Sequence, residues 1–157
     1  AFAAILGDGS VVAWGAGGGG SSGVQERLRD VQQIRASSQA FAAIPGDGYL
    51  GLWSPGVDAH DGGDSSAVQD QLRDVRQIQA SSAAFAAVLG DGSMVTWGDA
   101  RLGGDSSAVQ HHLRDVQHIQ ASRLAFAAIL GDGSVVTWGD ADFGGDSSAV
   151  QDQLRDV

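Results

Sequence analysis

Short apolar runs, each bounded by glycine and aspartate, recur along the whole chain. The clearest reads AFAAILGDGSVVTWGD from Ala125. It is echoed as AFAAILGDGSVVAWGA from Ala1, AFAAIPGDGYLGLWSP from Ala40 and AFAAVLGDGSMVTWGD from Ala84. FAAIL and SVVTW are short and cut by turn residues, so they read as strands. The Asp-Gly between them tolerates the positive φ of a tight hairpin and would join the two strands antiparallel. A third run, VRQIQAS from Val75, alternates polar and apolar as a half-buried strand does. The segment SSAVQDQLRDV from Ser65 is ambiguous. Val68, Leu72 and Val75 fall at i, i+4 and i+7, and Ser66 with Gln69 has the pattern of a capping box, but an irregular outer strand fits as well.

The four tryptophans Trp14, Trp53, Trp97 and Trp138 lie 39, 44 and 41 residues apart, and the turn aspartates Asp8, Asp47, Asp91 and Asp132 keep the same spacings. A second block, LRDV, recurs in phase at 28–31, 72–75, 113–116 and 154–157. Between tryptophan and LRDV the lengths vary, so insertions concentrate in one loop. The chain therefore reads as one repeat domain, 1–157, with repeats 1–39, 40–83, 84–124 and a truncated 125–157. A unit of this size with three or four short strands buries its two faces only by stacking on copies of itself. The fold class expected is all-β, a β-propeller whose four repeats form an open arc or part of a larger propeller. The alanine-rich strand suits the crowded inner position of each blade. The tryptophans and valine pairs would fill the space between blades, each buried tryptophan contributing about 3 kcal/mol or more. Trp14, Trp53, Trp97, Trp138 and the four turn aspartates make up the structural repeat core. A closed four-bladed ring would lack one strand at its seam. Exposed strand edges then call for a protein partner, further blades of the same chain, or a homo-oligomer.

Charge narrows the partners. Nine arginines and no lysine face eighteen aspartates and the single Glu26, a net charge of −10. Nucleic-acid binding draws on cations that neutralise phosphates, so no nucleic-acid partner is expected, nor an anionic membrane surface. The longest apolar runs are seven residues, far short of the roughly 20 a helical span needs, so no membrane insertion is expected. The absence of cysteine excludes disulfides, thiolate metal sites and cysteine nucleophiles and leaves the compartment open. Ala1 opens directly on a strand pattern with no initiator methionine or leader, which reads as a processed chain or an excerpt of a longer one.

No recurrent chemistry emerges from the polar residues. Asp140, Asp142 and Asp146 have the alternate acidic spacing of a calcium loop, but Arg101 replaces one acid in the third copy and the first copy has none, so a solvated turn is the reading and no metal or cofactor is expected. Gly15, Gly17 and Gly20 satisfy a dinucleotide-loop spacing without the βαβ context that gives it meaning. His111, His112 and His118 occupy positions filled by Gln, Asp, Glu or Arg in sister copies, as surface substitutions do. Without a recurrent Ser or Asp partner no nucleophilic constellation forms. The Arg-Asp pairs of LRDV, adjacent and so pointing apart on a strand, read as structural. The second copy deviates most. Pro45 replaces Leu, Gly51 and Leu52 stand for Val and Thr, and the loop after Trp53 is longer. Loops over rigid blades carry function more often than blades do, and Pro55, Asp58, His60 and Asp61 are the candidate partner-binding residues.

In order and spacing, Ile129, Asp132, Gly133, Val135, Val136, Trp138, Gly139 and Gly144 resemble the regulator of chromosome condensation repeats, with Ile119 and Ala121 fitting the preceding strand. WD-type and kelch-type repeats match less well. The resemblance covers all four copies and implies β-propeller blades, usually seven to a ring. It departs where the family's His is Ala125, its preceding Gly is Ser122, and its Gly-Gln-Leu-Gly has become GGDS at 144–147. The expected function is a non-enzymatic interaction scaffold or subunit of a larger assembly. Guanine-nucleotide exchange on a small GTPase, implied only by the resemblance, and a calcium- or sugar-binding propeller are the alternatives.

Overall fold

The computed structural model describes residues 1–15, 28–38, 40–53 and 64–157. Eleven strands lie in four antiparallel sheets among the described residues. Blade 1 pairs β1 (Phe2–Ile5) with β2 (Val11–Trp14). Blade 2 comprises β3 (Val31–Ala36), β4 (Phe41–Pro45) and β5 (Gly51–Trp53). Blade 3 comprises β6 (Val75–Ala80), β7 (Ala84–Leu89) and β8 (Met94–Gly98), and blade 4 β9 (Val116–Ala121), β10 (Ala125–Leu130) and β11 (Val135–Gly139). The chain is thus all-β, as the repeat pattern predicted.

One expectation is corrected. The alanine strand is the middle strand of each three-stranded blade, and VRQIQAS and its counterparts, paired beside it, take the inner position. Each of β3, β6 and β9 meets the preceding blade: β3 lies against β1, β6 against β3 and β4, and β9 against β6 and β7. Gln77 Nε2 on β6 donates to the Ile119 carbonyl on β9 at 3.2 Å, and Ile119 N–H donates back to Gln77 Oε1 at 3.4 Å. A polar residue next to the register shift between Val75 and Gln77 thus ties blade 3 to blade 4, whereas its counterpart Gln33, at the same shift in blade 2, has a buried Oε1 without a hydrogen-bond partner.

The alanines serve the blade faces. Strand alternation puts Phe85, Ala87, Val95 and Trp97 on one face of blade 3, against Ala40, Ala42, Ile44 and Leu50 of blade 2. Its other face, Ala84, Ala86, Val88 and Met94, receives Ile119, Phe126, Ala128 and Trp138 of blade 4. A thin alanine face lets the neighbour's rings approach closely, so each interface joins an aromatic face to a small-residue face. Phe85 stacks on Trp97 and Phe126 on Trp138, both with ring centroids 5.3 Å apart. Leu28, Leu72 and Leu113, the leucines of LRDV, are wedged into the three interfaces and fully buried.

The ambiguous SSAVQ segment resolves into a tight turn ending in a single turn of 3-10 helix, Gln69–Gln71. Val68 holds its N-cap without a side-chain cap, so the Ser66–Gln69 capping box does not form; instead Ser65 Oγ donates to Gln69 Oε1 at 2.7 Å. Ser106–Gln110 and Ser147–Gln151 repeat the pair, and Gln110 and Gln151 reach on to the carbonyls of Met94 and Val135, both at 3.0 Å. Each outer segment is thereby pinned to its own blade.

Candidate interaction site

The Gly-Asp-Gly hairpins take up their polar atoms locally. Gly9 N–H donates to Leu6 O, and Leu6 N–H to Ser10 O, closing a turn in which Gly9 alone has positive φ (77°). Asp8 Oδ1 accepts from both the N–H and the hydroxyl of Ser10, and Asp91 and Asp132 do the same with Ser93 and Ser134. These bonds, the hydroxyl's first, hold the three carboxyls below the usual carboxylate range although all are exposed. Tyr49 replaces the serine in blade 2, where Asp47 accepts only the Tyr49 N–H at 3.1 Å.

The aspartates of LRDV have a role that the sequence reading missed. Asp30, Asp74, Asp115 and Asp156 all sit in the left-handed region, with φ from 53° to 59°, and so lie off the strand. Each backs onto the second glycine of the hairpin before it: a Cβ on Gly92 would lie 3.1 Å from Asp115 Cα, and one on Gly9 2.7 Å from Asp30 Cα. The carboxylates of Asp30, Asp74 and Asp115 fill the space a Cβ would take at Gly46, Gly90 and Gly131, the first glycine of the next hairpin. One aspartate thus locks two successive hairpins, and both glycines of Gly-Asp-Gly are required in blades 2, 3 and 4. The following residue completes the lock: Val31, Val75 and Val116 N–H donate to the carbonyls of Gly9, Gly48 and Gly92.

A second lock lies at the other edge of the blade. Asp99 caps the short turn Ala100–Leu102, and Gly103 follows with φ 97°. Ser81 Oγ holds the Leu102 carbonyl at 2.9 Å. The Phe126 ring of blade 4 occupies the space a Cβ on Gly103 would need, and Trp138 Nε1 donates to the Gly103 carbonyl at 3.0 Å. Blade 4 carries the same loop: Asp140 caps Ala141–Phe143, Gly144 has φ 100°, and Ser122 Oγ holds the Phe143 carbonyl at 3.0 Å. Around Gly144, however, the space is open.

Of the residues singled out from the sequence, Trp97 and Trp138 are buried between blades, and Trp14 is half exposed beside Phe2. The Trp53 backbone pairs with Phe41 in β5. Asp8, Asp47, Asp91 and Asp132 lie in the exposed turns. Pro55, Asp58, His60 and Asp61 lie outside the described residues; Pro45, the other deviation of the second copy, ends β4 paired with Val31. Asp140 and Asp146 accept backbone N–H groups of Asp142 and Ser148. His111 and His112 stack tilted at 3.9 Å on the exposed rim of a cleft of about 870 Å³ that also borders Asp132 and Asp146. Among the described residues no cluster of three metal-ligating side chains occurs.

No family model matches the chain, and no curated protein matches it. Solved structures do. The ectodomain of the Physcomitrella patens receptor kinase CR4 superposes with a TM-score of 0.56 at 17% identity, over 85% of this chain and 37% of that one. Human WBSCR16 superposes at 0.54 and 18% identity, over 86% of this chain and 44% of that one. Yeast RCC1 (Prp20), solved with Kap60 bound, superposes at 0.49 and 15% identity over 69% of this chain and 29% of that one. The fold is that of a β-propeller, of which these four repeats form a part. The chain spans less than half the length of each of these structures.

Proposed function

We propose that the chain is a non-enzymatic interaction scaffold whose blades hold a partner-binding loop, the segment around Pro55, Asp58, His60 and Asp61. What carries this reading is the fate of the repeated polar side chains. The turn aspartates, the LRDV aspartates and the Ser-Gln pairs are engaged in holding the blades. The copy that departs from the repeat is then the place where selection for binding has room to act. The test replaces Pro55, Asp58, His60 and Asp61 with alanine together and compares the proteins captured by the immobilised wild-type and variant chains. Selective loss of a captured protein at unchanged melting temperature is expected; identical capture would remove the loop from the account. Accelerated nucleotide release from a small GTPase would favour the exchange-factor reading, and a thermal shift with calcium or sugar the ligand-binding one.

A further inference from the structure

The cleft of about 870 Å³ between the outer segments of blades 3 and 4 is set apart by its side chains. Val109, His111 and His112 come from blade 3, and Asp132, Val136 and Asp146 from blade 4. The cleft belongs to the repeat: blade 2 has a counterpart of about 580 Å³, bordered by Asp47 and Asp64, the equivalents of Asp132 and Asp146. Asp132 and Asp146 are exposed, and each is fixed through Oδ1, which accepts the N–H of Ser134 or Ser148 and, at Asp132, the Ser134 hydroxyl as well. The serines hold both carboxyls below the usual carboxylate range, through the hydroxyl first at Asp132 and the backbone N–H first at Asp146. None of the described arginines borders the cleft to neutralise them. The rings of His111 and His112 stack at 3.9 Å, tilted by 43°, although both residues are exposed. Sister copies have Asp70–Gln71 and Asp152–Gln153 at these positions, so the histidine pair is peculiar to this cleft. Among the described residues no three acidic or imidazole side chains stand where they could hold a metal ion, so the four groups suit an extended occupant better than a bare cation.

We propose that this cleft docks an arginine-bearing segment of a partner protein, the guanidinium meeting Asp132 and Asp146 while its plane and stem lie along the imidazole rings, Val109 and Val136. Charge complementarity carries the choice of a cation. Two fixed carboxylates with no cation of their own, on a chain of net charge −10, attract positive charge. The rings and the valines choose among cations. A guanidinium is planar and weakly hydrated, and it stacks on aromatic faces while pairing with carboxylates, whereas a lysine ammonium is compact and strongly hydrated. The serine bonds set the carboxylates before the occupant arrives, so little ordering cost opposes docking. The cleft and the 55–61 loop share no residue, so either reading can fail alone.

The test is an amide NMR titration of the 157-residue chain with the capped peptide Gly-Ser-Arg-Ser-Gly, and with the same peptide carrying citrulline, the neutral isostere, in place of arginine. Saturable shifts confined to residues 109–112, 132–136 and 145–148, with a Kd of about 1 mM or tighter, are expected with arginine. Citrulline should bind about 10-fold more weakly or worse, because both ion pairs are lost. Asp132→Asn with Asp146→Asn should weaken the arginine peptide by about 10-fold as well, and His111→Gln with His112→Gln by about threefold. The histidine variant alters only exposed rim positions and keeps the test sharp should the aspartate variant loosen its hairpin. No saturable shift up to about 10 mM overturns the proposal, as does equal affinity for the citrulline peptide. Indifference to either double variant overturns it too, as do equal shifts at residues 91–95, where acidic attraction alone would act. Zinc chloride that shifts the cleft residues at micromolar concentration, where the arginine peptide shifts nothing, would make the histidines metal ligands and overturn it as well.

Discussion

The indole Nε1 of Trp138 donates to the carbonyl of Gly103, one blade earlier, at 3.0 Å. That bond is possible only because Gly103 has no side chain and adopts φ 97°, leaving its space to the Phe126 ring. A conformational property of one repeat and an aromatic pair of the next are therefore a single structural unit.

Trp138→Ala should lower unfolding free energy by about 3–5 kcal/mol, the usual cost of emptying a packed aromatic site. Trp138→Phe keeps much of the ring but strands the Gly103 carbonyl, and about 1–2 kcal/mol is expected. Urea unfolding checks both; equal losses would mean that the hydrogen bond contributes nothing.

Gly131 and Gly7 hold the same place in their hairpins but differ in surroundings. Gly131→Ala collides with the Asp115 carboxylate and should cost about 1–3 kcal/mol, as overpacking does. Gly7→Ala meets nothing within 4 Å and should be neutral or slightly stabilising in the single chain. Melting temperatures of the two variants decide this, and similar values would dissolve the aspartate lock.

The two-way bond between Gln77 and Ile119 ties inner strands of successive blades. Gln77→Ala leaves backbone groups of the fully buried Ile119 without partners and should cost about 1–2 kcal/mol. Its exposed neighbour Arg76 serves as the control, with Arg76→Ala expected within about 0.5 kcal/mol of wild type.

Acid should loosen the hairpins. Asp8, Asp91 and Asp132 have folded pKa values below their unfolded ones, chiefly through the hydroxyls of Ser10, Ser93 and Ser134. A depressed carboxylate stabilises the fold above its unfolded pKa, near 4, and that contribution is lost as pH falls through the folded value. Urea midpoints measured from pH 7 to pH 3 should fall in that window. The triple variant Ser10→Ala, Ser93→Ala, Ser134→Ala should show a shallower fall, and an unchanged slope would count against the serine bonds.

Much of this was legible in the sequence because the repeat writes each signal four times. Strands, hairpins and the aromatic fill between blades follow from apolar runs cut by Gly-Asp-Gly. Strand order within the blade did not follow. Small residues suit a crowded axis and a thin blade face alike, and only the pairing of β6 with β7, across the short turn 81–83, separates the two. The Ser66–Gln69 capping box failed for a similar reason: the hydroxyl that meets Gln69 belongs to the adjacent Ser65, and Val68 holds the N-cap. The lock made by Asp30 and its counterparts had a signal that went unused. An aspartate before every inner strand, in step with two glycines in every hairpin, marks a residue in the left-handed region packed where no side chain fits.

The most direct test of blades stacked aromatic face to thin face is acrylamide quenching of tryptophan emission in dilute solution, comparing Trp14→Phe with Trp138→Phe. The account predicts that Trp14→Phe removes readily quenched, red emission, because Trp14 is half exposed on an open face, whereas Trp138→Phe removes shielded, blue emission. Equal quenching of the emission lost in the two variants would contradict it.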